Sequence, residues 1–586
     1  MLTSTRFISL LAGASFTLAA HGVSFDDWAD KVANAKVRND PEQATLKQYF
    51  SGKEQDQLDR KLTPNTIVYR AGEVAAAKTA LAQLAKIDKQ ALTPQQRASA
   101  ASIAWNLQGA VDAWPYADYN FVFNQFGGLH VQLVNFLTQA HPIRNQRDVE
   151  NYLVRLKAVA GKMDTGILQA RGLGARGILM PTFLTQSSIG QLDRFLDGGP
   201  ENNVFVATLK QRMGGLKDVT PEQQAKFAAA AEDTVKRSVI PAFQRARAML
   251  QEQLPRTTED AGLWRLPNGD KAYALLLKQM TSTDYTPEQI HNIGLREVAR
   301  IEKEMDGLLA SLGYTEGTIK QRMAKLEKDS QPKEADPRPA LLARYDSVLR
   351  DAEARAKELF DVTPKAPVVV KREPPFTEKT AAAHYTGPAK DGTRPGIFWA
   401  PMPGPEFRIV GMRTLVYHEG VPGHHFQVAL QQENDKLPRY RRDRVFAVGS
   451  AYGEGWALYA EQLAAENNWY EGDVVGHLGQ LDAELFRARR LVVDTGLHAM
   501  KWTRQQGIDY GIPAAEVERY VAMPGQACAY KIGMMRILDL RAKAQKALGE
   551  KFSIKAFHNV VLETGNVPLP VLEQVVDEWI AAQKAA

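Results

Sequence analysis

The chain holds a single cysteine in 586 residues, Cys528, so no intrachain disulfide can form. No cysteine stands just after the amino-terminal apolar stretch either, and no lipid anchor is expected there. Beyond that stretch, no segment reaches membrane-spanning length without charges. Internal repeats and low-complexity tracts are absent. So are long Lys/Arg blocks, zinc-finger spacings and basic-zipper patterns, and nucleic acid is not an expected partner. The net charge of +6 and pI of about 9.0 are only mildly basic for this length. Histidine is scarce as well, 11 in all, yet three of them fall within residues 418–425.

What is present describes a large globular chain. A content of 44% hydrophobic and 24% charged residues is enough to build sizeable cores. The first residues have the features of an export signal. Met1 to Arg6 is a short cationic segment, and Phe7 to Ala20 is apolar but too short for an ordinary span. Ala20-His21-Gly22 has the small-x-small character of a cleavage site. The sequence therefore predicts a signal peptide over 1–22 and a periplasmic or secreted protein with no stable membrane anchor after processing.

The rest reads as mainly α. Helical spacing runs over 73–92, 94–114, 147–171, 221–253 and 287–312. Three of these open on Thr-Pro with Gln three residues after the Thr (Thr93, Thr220, Thr286), which is a capping box with Pro at the first helical position. Residues 329–339 read as a linker. Short strands are expected at 367–371, 381–385 and 396–399, and a small sheet there would let a substrate backbone lie along its edge. The expected organisation is an amino-terminal helical lobe over 23–360 and a metal-binding lobe over 361–586, with the substrate site in the cleft between them.

The chemistry concentrates in His418-Glu419-Gly420-Val421-Pro422-Gly423-His424-His425. Without Val421 and Pro422 this would be H-E-G-G-H, in which two histidines one turn apart hold Zn²⁺ and the Glu acts as general base on the metal-bound water. On a straight helix His424 would lie about 9 Å along the axis from His418, and His425 about 10.5 Å, so neither could share an ion with it. Pro422 removes a helical hydrogen bond and crowds the carbonyl of His418, and Gly423 adds backbone freedom. A break here can return His424 to the side of His418. Which of His424 and His425 does so stays open at this point, and the unused imidazole would stand behind the ligands. A third ligand is offered by Glu454, set between Gly453 and Gly455 at the start of a helix. Glu461, two turns later, is read as solvated or as standing behind a ligand.

Further candidates follow. Tyr530 and Lys531, after the Pro524-Gly525 turn, are placed for an oxyanion and a substrate carboxylate respectively. Arg487, Arg490, Asp494 and His498 recur on one helix face, with Asp494 expected to orient an imidazole ligand, and Arg490 and His498 to contact substrate. The cationic run Arg439-Tyr440-Arg441-Arg442-Asp443-Arg444 reads as a solvated loop able to attract anionic substrate ends.

Together, H-E-G-V-P-G-H-H-F-Q, G-E-G-W-A-L-Y-A-E and P-G-Q-A-C-A-Y-K-I-G resemble the bacterial domain-of-unknown-function 885 family. The resemblance extends over most of the chain after residue 23, including Ile290-His291-Asn292-Ile293-Gly294-Leu295 and Tyr385-Thr386-Gly387-Pro388-Ala389. That family is similar to helical zincin metallopeptidases, and some members to Xaa-prolyl dipeptidyl carboxypeptidases. The resemblance implies a two-lobed zincin-like fold, zinc held by His418, His424 and Glu454, Glu419 as base, and short peptides cut from the carboxy terminus. The competing expectations are a zinc amidase acting on a cell-wall or other non-peptide substrate, and a noncatalytic binding protein stabilised by zinc.

Overall fold

A computed structural model describes residues 24–374, 378 and 381–585. The expected signal peptide lies outside them. The described chain is mainly helical, with one three-stranded sheet. Its helices begin where the capping chemistry places them. Pro94–Ala113, Pro221–Thr234 and Pro287–Ser311 each open on the reciprocal Thr–Gln box, and Thr318–Gln321 and Thr503–Gln506 repeat it. The 221–253 span is interrupted by a wider π turn over Val235–Val239 before Ile240–Gln253 continues. Helix Ile67–Leu84 starts earlier than the apolar spacing suggests because Thr66 caps it.

The strands are β1 (Val368–Arg372), β2 (His384–Thr386) and β3 (Gly396–Ala400). Central β3 runs parallel to β1 and antiparallel to β2. Phe398 is fully buried and packs edge-on to Tyr345 of helix Arg338–Ala356.

Two large cores frame the site. One joins residues 121–293 to Leu491, Val493, Leu497 and Ile532 from the carboxy-terminal third. The other gathers Leu349, Phe398, Tyr417, Trp456, Ile537 and Val561 around the metal motif. Helix Arg338–Ala356 belongs to this second core although it precedes residue 360. Among the described residues, no helix is long and apolar enough to cross a membrane.

Candidate metal centre

The H-E segment is not a straight helix. Met412–Leu415 gives way to a π turn over Val416–Gly420, the chain breaks at Val421–Gly423, and a new helix, His424–Glu433, begins. The break requires glycine at 423, because a Cβ there would lie 2.0 Å from the carbonyl oxygen of His418 and 2.3 Å from that of Tyr417. The Pro422 carbonyl accepts a 2.9 Å hydrogen bond from Trp456 Nε1, which ties the break to the Glu454 helix, Ala451–Glu466. The result is what the pattern required. The His418 and His424 rings stand 4.9 Å apart and nearly perpendicular.

Glu454 Oε2 lies 3.7 Å from His418 Nε2 and 3.4 Å from His424 Nε2. One ligand atom from each of the three residues fits within 4.8 Å of the others, which suits a single cation with an open position. From behind, Glu461 accepts a 2.6 Å hydrogen bond from His418 Nδ1, leaving Nε2 to face the centre. Its other oxygen takes a bond from Thr414 Oγ1. Burial opposes a charge on His418, yet hydrogen bonds to Glu454 and Glu461 outweigh it and hold the imidazole up at about 9. Burial would raise Glu454, but both imidazoles hold it well below the usual carboxylate range. A cation among these atoms would take over the positive charge that protons carry here, so the donor set fits a metal ion. Glu419 is buried at 7% exposure, and burial, the largest influence on it, raises its pKa.

The remaining candidates divide. His425 is outside the triad. Its Nδ1 meets the Tyr385 hydroxyl at 2.8 Å, which joins the metal segment to β2, and burial pushes its pKa down to about 4. Tyr530 opens helix Ala529–Leu548, one turn before the Gly455–Gly533 contact beside Glu454, with the Arg490 guanidinium 4.5 Å over its ring. Arg490 itself is buried and committed to Glu516 at 3.0 Å and to the Tyr520 hydroxyl at 3.1 Å, so it supports Tyr530.

Three expectations are corrected. Lys531 does not wait for a substrate carboxylate. It is 1% exposed and paired with Glu484 at 2.5 Å and Glu297 at 2.9 Å, because a buried ammonium needs neutralising carboxylates. Asp494 does not orient an imidazole ligand. It accepts from the Tyr273 hydroxyl at 2.6 Å and the Gly525 N–H at 3.0 Å, and Glu461 holds the position behind His418 instead. His498 does not reach substrate. It is fully buried, its Nδ1 accepts the Leu263 N–H, and its Nε2 donates to the Tyr520 carbonyl.

One contributor escaped the sequence: Trp456 locks the break. Arg487, singled out only for its helix face, places a guanidinium nitrogen 3.8 Å from Glu461. For Glu461 a signal existed: it follows Glu454 by seven residues, two helical turns, and so shares its face.

Burial also predicts acid sensitivity. It pushes His130, His498 and His558 down to about 4 and His141 to about 3, so these rings stay neutral when folded but charge once unfolded. A depressed folded pKa gives stability that is present above about 6.5 and lost as pH falls toward 4. Asp494, raised by burial to about 7, works the other way, since its folded-state proton is released on unfolding. Setting the metal group aside, unfolding near pH 5 should take up protons net, and stability should fall as the pH is lowered. Urea unfolding at pH 7.5, 6 and 5 measures this; a midpoint that does not fall with pH would contradict it.

The fold and this group define a mainly helical protein with a two-histidine, one-glutamate candidate metal centre. The chain belongs to the family described as "Bacterial protein of unknown function (DUF885)", whose model matches residues 41–576. A solved structure described as a "putative lipoprotein" from Colwellia psychrerythraea is similar to it at 32% identity and a TM-score of 0.88, over 96% of this chain and 100% of that one. A "putative lipoprotein of unknown function" from Shewanella oneidensis shares the fold at 17% identity and a TM-score of 0.71, over 94% of this chain and 99% of that one. No curated protein matches.

Proposed function

We propose that the protein is an exported zinc-dependent peptidase acting on short peptides, with the periplasm as its compartment. The observation carrying this reading is the convergence of His418, His424 and Glu454 beside a buried Glu419 that is not needed to hold a cation. Zinc bound there would supply Lewis acidity toward water and a peptide carbonyl. Glu419 takes the proton from the attacking water and later delivers it to the departing amine. The Tyr530 hydroxyl donates to the oxygen that gains charge as the carbonyl becomes tetrahedral. Arg490 and the helix contact at Gly533 keep the Tyr530 ring in place. β2 stands at an edge of the sheet, where an extended peptide can add as a further strand. Export accords with the lipoprotein description of both structural neighbours.

Metal analysis of the purified protein, run beside mass spectrometry of a digested mixed peptide pool, tests this. One zinc per chain and discrete cleavage products are expected. Stoichiometric zinc with every peptide intact would defeat the peptidase reading.

A further inference from the structure

The cationic run 439–444 is not a solvated loop. Arg441 is 5% exposed, with Nη1 donating to Ser99 Oγ at 3.1 Å and Nη2 to the Thr564 carbonyl at 2.7 Å. Arg444 holds the left-handed backbone at φ 50°, a conformation costly for a residue with a side chain. Its Nη2 is buried with no hydrogen-bond partner. Both arginines line a cavity of about 80 Å³ together with Gln431, Asn566 and Ser102. Its lining also includes Ala447 and Gly449, both of which are exposed.

The nearby carboxylates are spent elsewhere. Asp443 pairs with Lys390 at 2.5 Å and Arg439 at 3.3 Å, and Asp435 pairs with Arg442 at 3.1 Å. Among the described residues, neither Arg441 nor Arg444 has an ion-pair partner. A buried guanidinium without an anion is costly, and a cavity holding two of them suits a carboxylate.

One helix face carries both a residue of the metal group and a residue lining the cavity. His424, Gln427 and Gln431 recur at three- and four-residue spacing on helix His424–Glu433. Gln427 Nε2 is a second buried donor without a partner, and its Oε1 lies 3.6 Å from where a Cβ on Gly453, beside Glu454, would sit. From His424 to Gln431 the helix rises about 10 Å. About three residues of extended chain, at about 3.3 Å each, span that distance.

We propose that the cavity between Arg441 and Arg444 is a carboxylate-binding subsite, and that it takes the terminal carboxylate of the peptide fragment leaving the His418–His424–Glu454 group. This rests on the peptidase reading for its role, but the binding itself does not. Arg444 is the residue to test, because Arg441 also braces Ser99 and Thr564 and its loss would disturb folding. The first measurement is calorimetric binding of trialanine and trialaninamide to zinc-free protein, wild type and Arg444→Gln. Trialanine should bind wild type about ten- to a hundredfold tighter than the amide, the range for hydrogen bonds to a charged group, and the ratio should fall to near one in Arg444→Gln. Equal binding of acid and amide by wild type, or a ratio unmoved by the substitution at an unchanged melting temperature, would overturn the subsite. Tight binding of Ala-Ala-Glu-amide in place of trialanine would overturn its assignment to a terminal carboxylate.

The second measurement is kcat/KM for a cleaved peptide as free acid and as amide, where the same loss of ratio is expected. Peptide cleavage that ignores the terminal charge sinks the subsite and leaves the peptidase. Arg444-dependent trialanine binding without any cleavage supports the subsite and sinks the peptidase.

Discussion

Glu419→Gln should lower peptide turnover by about 10²- to 10⁴-fold while zinc stays bound. Gln fills the same space but cannot accept the proton from water. The ligand atoms belong to His418, His424 and Glu454, so metal content should not change. The carboxyl is buried within a π turn, and burial disfavours its charged form. Removing that charge relieves a desolvation cost, so the melting temperature should hold or rise. Loss of turnover with gain of stability is the signature of a residue kept for chemistry. Steady-state kinetics, metal analysis and thermal melts on one preparation decide it. Undiminished turnover in the zinc-loaded variant would remove Glu419 from its assigned role.

Gly533→Val should take the site apart. A Cβ at 533 would lie 2.1 Å from the carbonyl oxygen of Ala451 and 2.8 Å from Gly455 Cα, both rigid backbone of the Glu454 helix. The two helices would have to separate, at a cost of about 3 kcal/mol or more. Separation moves Glu454 away from the imidazoles and shifts Tyr530, one turn earlier. Zinc affinity and stability should therefore fall together. Gly161→Ala is the control: nothing lies within 4 Å of that position, on an exposed part of helix Gln146–Ala175. It should melt no lower than wild type and bind zinc normally. A Gly533→Val protein with wild-type melting and zinc affinity would show that the close approach is dispensable.

Much of this was legible in local chemistry. The Thr-Pro-x-Gln boxes marked helix starts because a cap is satisfied within four residues, and β1 and β3 fell where β-branched and aromatic residues cluster, whereas β2 begins three residues later than expected. The break at Val421–Gly423 was readable because proline and glycine act on their own backbone. What local reading missed are long-range pairings. Lys531 reads as a free cation until Glu297, far away in the chain, is brought to it. Asp494 and Glu461 are equally plausible carboxylates in sequence, and only packing sends Glu461 to His418 and Asp494 to Tyr273. Arg441 reads as surface, yet Ser99 and Thr564 enclose it from two distant parts of the chain.

The lone thiol has a use of its own. Cys528 is fully buried, just past the turn where the Gly525 N–H bonds to Asp494, and burial pushes its pKa well above the ordinary thiol value. A thiol so sealed reacts only when the surrounding helices part. Its labelling rate is thus a built-in clock for how often this region breathes, free of interference from any other sulfhydryl in the described structure.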